Sequence, residues 1–195
     1  MKTHSVSVEI GGRNITFETG WLAKQASGAV VVKQDDSSVL CTFVADTKPS
    51  RFDFLPLTVN YQDRTAASGK IPGGFLKREG RPGERETLIC RVIDRPLRPQ
   101  FAKHVRVEMQ IIATVLSFDS ASDTDVLALC GSSAAIAVSD MPTEGTVAAV
   151  RVSRVGGTLK VNPSRAEMEE ADINLVVAGT ADAICMVEGG AKEAS

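Results

Sequence analysis

Short turns between alternating segments constrain the fold of this chain more than any other feature. Residues 4–20 form two apolar–polar alternating segments around a turn at 11–14, and residues 28–46 repeat the arrangement around 35–38. Alternation with a period of two predicts β-strands, and connections this short leave no room for a helical crossover. Residues 54–62 supply a further strand. The N-terminal part is therefore predicted to be β-rich, with a mixed or antiparallel sheet.

A segment dense in glycine and proline, GKIPGGFLKREGRPG at 69–83, follows these strands. Neither a helix nor a central strand tolerates so many of these residues, so we expect a long exposed loop. A helix is predicted next, with Gly83 as its N-cap and an apolar stripe on one face. Pro96 disfavours helical geometry at the residue before it, which places the predicted helix end near Arg95. The stripe consists of Leu88, Ile89, Val92 and Ile93.

The rest of the sequence predicts a second group of strands and a second helix. Residues 104–118 form a long strand, and a helix rich in small residues starts near Asp123 or Asp125. A hairpin that turns at 156–157, a short helical turn at 164–171 and two final strands complete the order. We expect an α+β domain in which two principal helices pack on a mixed β-sheet.

Composition is that of an ordinary globular protein. The 195 residues suffice for one sizeable core, with 43% hydrophobic and 24% charged residues, and a single domain is the default. The sequence contains no apolar run of about eighteen residues, and its N-terminus alternates instead of offering an apolar signal core. We expect no membrane span, no secretory leader and a cytoplasmic location.

Cysteine and histidine offer little catalytic or metal chemistry. The two histidines, His4 and His104, stand beside no plausible nucleophile, which argues against a hydrolytic triad. The four cysteines lie far apart and are flanked by apolar residues, so we expect reduced, buried thiols and no zinc site built from local ligands. They are Cys41, Cys90, Cys130 and Cys185.

Positive charge is concentrated in one segment of a mildly acidic chain. Residues 64–98 contain nine Lys or Arg and four Asp or Glu, a net charge of +5, whereas the whole chain has a net charge of −2. One interpretation is a local site for a polyanion. The alternative is a solvated charged loop followed by a helix with surface ion pairs.

The predicted helix carries three arginines at intervals of four and three. Arg91 and Arg95 project about 40° apart, opposite the apolar stripe, so one polyanionic surface can reach both. Arg98 lies beyond the predicted helix end. In the preceding loop, Phe75 stands close to two further cations. Single-stranded nucleic acid needs this combination, because bases stack on flat rings and phosphates follow cations. The two cations are Lys77 and Arg78.

The same stretch resembles the first core repeat of the bacterial polynucleotide phosphorylase family. That family has GxFxxREGRP, an ETLxxRxIDRPxRPxF helix and a later VAGT strand; this chain has GGFLKREGRP, ETLICRVIDRPLRPQF and VVAGT in the same order. The resemblance implies a ribonuclease PH-like fold with two repeats per protomer and a homotrimeric ring around a pore. It also implies that inorganic phosphate, as co-substrate, attacks the 3′ end of single-stranded RNA and releases nucleoside diphosphates.

The resemblance also assigns roles to the basic residues. The pore constriction of the family is usually Phe-Phe-Arg-Arg, and here it is Phe75-Leu76-Lys77-Arg78. The three arginines of the helix match residues that help to hold the RNA backbone. Components of an RNA degradosome are further partners that the resemblance raises. The predicted RNA-binding residues are Phe75, Lys77, Arg78, Arg91, Arg95 and Arg98.

The catalytic metal residues of the family's second repeat have no counterparts here. Alignment on the VAGT strand places Met168 and Asn174 where two aspartates bind metal, and Val176 where a lysine stands. These side chains cannot hold Mg²⁺ or neutralise a phosphoryl transition state. We therefore expect no catalytic or metal-binding residue in this chain, with Mg²⁺ bound by a second repeat.

Two other polar clusters have simpler interpretations. Asp119, Asp123 and Asp125 precede the second helix, where helix N-capping is favoured over metal binding. Ser132 and Ser133 resemble the phosphate-binding serines of the second repeat, but small residues within a helix usually serve packing.

The prediction for the whole chain is a first ribonuclease PH-like core domain at 1–188, followed at 189–195 by the start of a truncated linker or helical segment. It would supply RNA binding and ring assembly to a phosphorolytic 3′-to-5′ exoribonuclease that acts in mRNA degradation. One alternative is a non-catalytic scaffold subunit of an exosome-type ring. Another, a complete tRNA-trimming ribonuclease PH, is weakened by the missing metal residues.

Overall fold

Two β-sheets enclose the principal helices of the structure, a computed structural model that describes residues 2–75, 78, 80–119, 121 and 123–193. The larger sheet contains β1 (His4–Ile10), β2 (Arg13–Thr19), β3 (Gly28–Gln34), β4 (Ser37–Pro49), β5 (Leu57–Gln62) and β6 (Val107–Ser117). The smaller sheet contains β7 (Ala148–Val155), β8 (Thr158–Val161), β9 (Ile173–Gly179) and β10 (Ile184–Ala191). The helices are α1 (Glu84–Leu97), α2 (Thr124–Ala137) and α3 (Arg165–Glu170).

The larger sheet is mixed, as predicted. Its strand order is β1-β2-β3-β4-β6-β5, and all neighbours are antiparallel except β5 and β6, which are parallel. The connection from β5 to β6 includes the basic loop and α1, which is long enough for a parallel crossover. The α+β class with two principal helices is therefore confirmed.

A second sheet was not predicted. The strands of the smaller sheet are all antiparallel, in the order β10-β9-β7-β8, and α2 contacts both β7 of this sheet and the central strands of the larger one. The physical reason is that α2 has no polar face: eleven of its fourteen residues are buried. A helix that is apolar on all sides must be covered on all sides.

Small residues let α2 and the larger sheet approach closely, as the sequence predicted. A Cβ atom on Gly131 would lie 2.6 Å from both the Cys41 Sγ and a Val32 methyl group. On β3, a Cβ atom on Gly28 would lie only 1.9 Å from the carbonyl oxygen of Ala135. Neither position can accept a side chain without moving the helix.

Helix α1 begins where predicted and ends later than predicted. The Glu86 carboxylate caps its start by accepting hydrogen bonds from the Gly83 N–H at 2.7 Å and the Asp63 N–H at 3.0 Å. The helix continues through Pro96 to Leu97, and both of these residues are buried. The predicted end near Arg95 is wrong because burial of these two residues outweighs the local preference of the residue before proline. In the predicted stripe, Leu88 is half exposed.

The C-terminal residues 189–191 belong to β10, where they pair with β9. These three residues are therefore in a strand, and the predicted start of a linker or helical segment at 189–195 stays a prediction. Where a core domain ends relative to residue 188 stays a prediction. Across the described ranges, no helix combines the length and apolar character needed to cross a bilayer.

The cysteines are free but differ in burial. Cys41 is buried, as predicted, and burial raises the pKa of its thiol to about 12. Burial likewise raises the pKa of Cys130 to about 11. The prediction of buried thiols holds only in part for Cys90 and Cys130, which are half-buried, and it is wrong for Cys185, which is exposed on the edge strand β10.

Candidate nucleic-acid interface

The solvent face of α1 presents Arg91 and Arg95, separated by about one helical turn. Both residues are exposed, because the opposite side of the helix packs Ile89 and Ile93 against the core. Within the described part of the chain, no hydrogen bond or ion pair engages the Arg91 side chain. Its guanidinium is therefore available to an anion from outside, with five N–H donors in a planar fork.

Arg95 has an internal partner. Its guanidinium forms an ion pair with the Glu188 carboxylate of β10, and both side chains are about half exposed. An ion pair in such a position contributes little to stability, because water screens it and two flexible side chains must be ordered. The pair leaves Arg95 accessible to a second anion.

Arg98 is engaged within the domain. Its Nε and Nη2 donate to the Asp94 carboxylate at 2.9 and 2.7 Å. Its Nη1 donates to the Leu55 carbonyl at 2.9 Å, and its Nη2 also donates to the Leu57 carbonyl at 3.1 Å. The three arginines of the sequence motif thus differ: two face solvent, and the third ties the end of α1 to the segment before β5.

The glycine-rich loop begins after a 3₁₀ turn that ends at Gly69, whose φ of 67° lies in the left-handed region. Phe75 is 78% exposed, so its ring does not fold back into the core. Arg78 is exposed as well, and its N–H donates to the Phe75 carbonyl at 3.3 Å. Two residues of the predicted constriction, Leu76 and Lys77, lie outside the described residues. The loop therefore offers a ring and a cation to solvent.

The three positions aligned with catalytic residues do not form a metal site. Val176 is buried in the core, and Met168 lies half-buried on α3. The Asn174 Oδ1 accepts hydrogen bonds from Arg151 Nη1 at 2.8 Å and Ser153 Oγ at 3.3 Å. Of these three residues, only Asn174 carries an oxygen of the kind that binds Mg²⁺, and that oxygen already contacts a positively charged guanidinium. The three side chains therefore do not fit Mg²⁺. Among the described residues, no three His, Cys, Asp or Glu side chains are grouped to hold a metal ion.

The acidic cluster before α2 is an ion-pair network. Asp123 occupies the N-cap position but makes no capping hydrogen bond. Its carboxylate instead binds Arg85 Nη2 at 2.5 Å and lies 3.4 Å from Arg151 Nη2. The capping interpretation is wrong for Asp123 because charge pairing with two guanidiniums competes with the neutral backbone donors. Asp119 caps no helix either: it accepts hydrogen bonds from the Ser37 hydroxyl and the Ala121 N–H.

Asp125 is the buried member of this network. It pairs with Arg151 on the inward face of β7. Burial is the largest influence on its carboxyl and raises its pKa, the neighbouring Asp123 charge adds to that effect, and Arg151 opposes it. Arg151 was not among the residues predicted from the sequence, although the alternation of β7 places it on the same face as buried Ser153.

Ser132 and Ser133 are both buried within α2, so neither is open to a phosphate ion. The Ser133 hydroxyl accepts a hydrogen bond from the Val147 N–H at 2.9 Å. The packing interpretation of these serines therefore describes them better than a ligand role.

Comparison with known proteins places this geometry in a family. The family model described as 3′ exoribonuclease family, domain 1, matches residues 11–142. The chain belongs to the 3′ exoribonuclease family. The model for domain 2 of the 3′ exoribonuclease family matches residues 145–195, which contain the smaller sheet and α3.

Curated relatives within the 3′ exoribonuclease family are named polyribonucleotide nucleotidyltransferase. The chain is 55% identical to those of Geotalea uraniireducens and Geobacter sulfurreducens, over 97% and 100% of its length, and 51% identical to that of Halalkalibacterium halodurans over 97%. It spans about a quarter of each relative, 27%, 28% and 27% respectively. The resemblance to polynucleotide phosphorylases is confirmed.

Among solved structures, the chain is similar to rice (Oryza sativa) Rrp46, with a TM-score of 0.69 and 13% identity. The alignment covers 97% of this chain and 80% of that chain. At this identity the likeness shows the fold alone, and together with the family model it confirms the predicted ribonuclease PH-like fold.

Proposed function

We propose that this chain is the RNA-binding first core domain of a phosphorolytic 3′-to-5′ exoribonuclease, a polyribonucleotide nucleotidyltransferase that degrades mRNA. The observation that carries the proposal is the exposed pair of Arg91 and Arg95 on one face of α1. Two observations support it. Planar guanidiniums bind phosphate groups well, and the family relationship to 3′ exoribonucleases indicates that the polyanion is RNA.

In the proposed complex, the phosphates of single-stranded RNA contact Arg91 and Arg95, and the loop residues Phe75, Lys77 and Arg78 contact the strand further along. Arg98 contributes through the position of the α1 end. Stacking of a base on Phe75 adds sequence-tolerant affinity, while the cations add affinity that falls with salt.

The proposed reaction takes place outside this chain. An oxygen of inorganic phosphate forms a bond to the terminal phosphorus, the bond to the neighbouring 3′ oxygen breaks, and that oxygen takes up a proton. The products are a nucleoside diphosphate and a shortened RNA, and the reaction is reversible. Asn174, Met168 and Val176 do not supply a metal site, so Mg²⁺ belongs to a second repeat in this proposal. The proposed assembly is a cytoplasmic homotrimeric ring, with degradosome components as further partners.

A non-catalytic scaffold subunit of an exosome-type ring is the second candidate. The contact between Arg151 and Asn174 favours this second candidate, because a guanidinium of the protein itself lies beside the oxygen that would have to bind a metal ion. Both candidates require RNA contacts at α1. They differ in whether the parent protein contains a catalytic repeat.

The test is RNA binding by the Arg91→Ala/Arg95→Ala variant, measured by fluorescence anisotropy with an oligo(A) strand over a salt titration. Loss of two phosphate contacts should lower affinity and reduce the slope of log K against log salt by about 1.4. The Lys24→Ala/Arg165→Ala variant removes two exposed cations elsewhere and serves as the control. An unchanged slope in the α1 variant would contradict the proposed RNA contact.

A further inference from the structure

Two phenylalanines form a stacked, exposed pair on the connection between β4 and β5. The ring centroids of Phe52 and Phe54 are 5.1 Å apart, with an angle of 28° between the ring planes. Phe52 is 51% exposed and Phe54 is 59% exposed. Single exposed apolar residues are common on protein surfaces, but two stacked rings present a continuous flat apolar surface.

The segment that carries these rings is anchored at both ends. The Ser50 N–H donates to the Arg106 carbonyl at its start. At its end, the Arg98 guanidinium donates to the carbonyls of Leu55 and Leu57. The exposed rings are thus held by a fixed backbone, and a ligand that contacts them does not need to order a loose loop first.

The ring pair borders a groove between β4, the connecting segment and β6. The groove has a volume of about 750 Å³, which is within the range of sites for small organic groups. Asp46 and Glu108 line its wall, while Lys48 near the end of β4 and Arg51 on the connecting segment are exposed. The carboxylates disfavour a phosphate inside the groove and can accept hydrogen bonds from the amino groups of a base. A neutral base could therefore lie inside the groove, while the phosphate backbone that carries it lies outside the groove, near Lys48 and Arg51.

We propose that the Phe52–Phe54 pair and its groove form a second stacking site, which binds a nucleobase of single-stranded RNA outside the α1 surface. The inference rests on the proposed function for the identity of the polymer. Arg98 is the positioning residue of this site, because it fixes the two carbonyls that follow the rings. It touches the protein backbone and not the RNA.

The test compares the Phe52→Leu/Phe54→Leu variant with the unchanged chain, with anisotropy of two probes of equal length: an oligo(A) strand and a fully abasic strand. Leucine keeps apolar volume and removes the flat ring. Because both positions are exposed, the variant should stay folded, and circular dichroism checks that it does. We expect oligo(A) to bind about tenfold more weakly, whereas affinity for the abasic strand stays the same. The Phe52→Tyr/Phe54→Tyr variant should keep wild-type affinity, and Leu159→Ala, which alters an exposed apolar residue on β8, should do so as well.

Several results would overturn the stacking site. One is that the Phe52→Leu/Phe54→Leu variant and the unchanged chain bind oligo(A) with equal affinity. Another is that the variant loses the same affinity for the abasic strand as for oligo(A). A shift in oligomeric state by light scattering, with unchanged oligo(A) affinity, would assign the rings to a protein contact instead.

The α1 variant separates this inference from the proposed function. If Arg91→Ala/Arg95→Ala leaves RNA binding unchanged while Phe52→Leu/Phe54→Leu weakens oligo(A) binding, the α1 proposal fails and the stacking site stands. If only the arginine variant weakens binding, the stacking site fails alone. Arg98→Lys keeps the charge but loses the fork that reaches both carbonyls. It should weaken oligo(A) binding more than abasic-strand binding and leave the salt slope unchanged, whereas a reduced slope would make Arg98 a phosphate contact.

Discussion

The Arg95 guanidinium on α1 forms an ion pair with the Glu188 carboxylate on β10, the edge strand of the smaller sheet. The pair therefore joins the arginine face of the helix to the part of the chain that the domain 2 model matches. Because both side chains are about half exposed, an RNA phosphate can compete with the carboxylate for the same guanidinium.

Removal of that competing carboxylate should strengthen RNA binding. For Glu188→Gln we expect a two- to fivefold gain in oligo(A) affinity at low salt, with a change in unfolding free energy below about 1 kcal/mol. Anisotropy and urea unfolding measure the two quantities. Glu169→Gln, an exposed position on α3, is the matched charge control. Weaker binding by the Glu188 variant would show that the pair positions Arg95 instead of competing for it.

Loss of the buried guanidinium should be costly. Arg151→Met leaves the Asp125 carboxylate buried without its main partner, and we expect a loss of about 3–5 kcal/mol in unfolding free energy. Arg151→Met/Asp125→Asn should recover part of that loss, because no buried charge remains unpaired. Lys33→Met, which breaks the surface pair with Glu18, should cost about 1 kcal/mol or less. Similar losses in all three variants by urea denaturation would contradict a special role for the network.

The start of α3 should be sensitive to acid. Hydrogen bonds from Lys160 and then from Ser164 lower the pKa of Glu167 from 4.5 to about 2. The folded state therefore binds this proton more weakly than the unfolded state, so its stabilising contribution is complete above pH 4.5 and disappears as the pH falls towards 2. The difference in urea midpoint between the wild type and Glu167→Gln should shrink over this interval. A difference that is constant from pH 6 to pH 2.5 would exclude the mechanism.

Thiol reactivity should follow burial. At pH 8, an aromatic disulfide reagent should modify Cys185 rapidly, since it is exposed, while the buried Cys41 reacts only after unfolding. The half-buried Cys90 and Cys130 should react slowly, because burial raises the pKa of their thiols. Cys185→Ser should abolish the fast phase, which absorbance of the released thiolate records. A fast phase that persists in this variant would place another thiol at the surface.

Local features of the fold could be predicted from the sequence, and long-range ones could not. The hairpins at 11–12 and 156–157 follow from turn residues between alternating strands, and the start of α1 follows from Gly83 and the glutamate at position 86. The division into two sheets depends on which strands meet across α2. No local pattern encodes that choice.

The same distinction applies to the candidate site. Spacing alone predicts that Arg91 and Arg95 share a face, because helical geometry is local. Helical spacing also accounts for the pairing of Arg98 with Asp94, four residues earlier. The partners of Arg95 and Arg151 are distant in sequence, and the other partners of Arg98 are backbone carbonyls, so local spacing does not indicate them. Phe54 is the first residue of the strand predicted at 54–62, and Phe52 precedes that strand. Only the structure shows that the strand starts at Leu57 and that both rings are exposed and stacked.

Helix α2 also bears on how such a protein can be divided. It is the last helix of the segment that the domain 1 model matches, yet its Ser133 hydroxyl and Cys130 thiol accept backbone hydrogen bonds from Val147 and Ala149 in the other segment. If the chain were divided between these two segments, each half would lack part of the hydrophobic core that the two segments share. We therefore expect that the two halves regain structure only when they are expressed together.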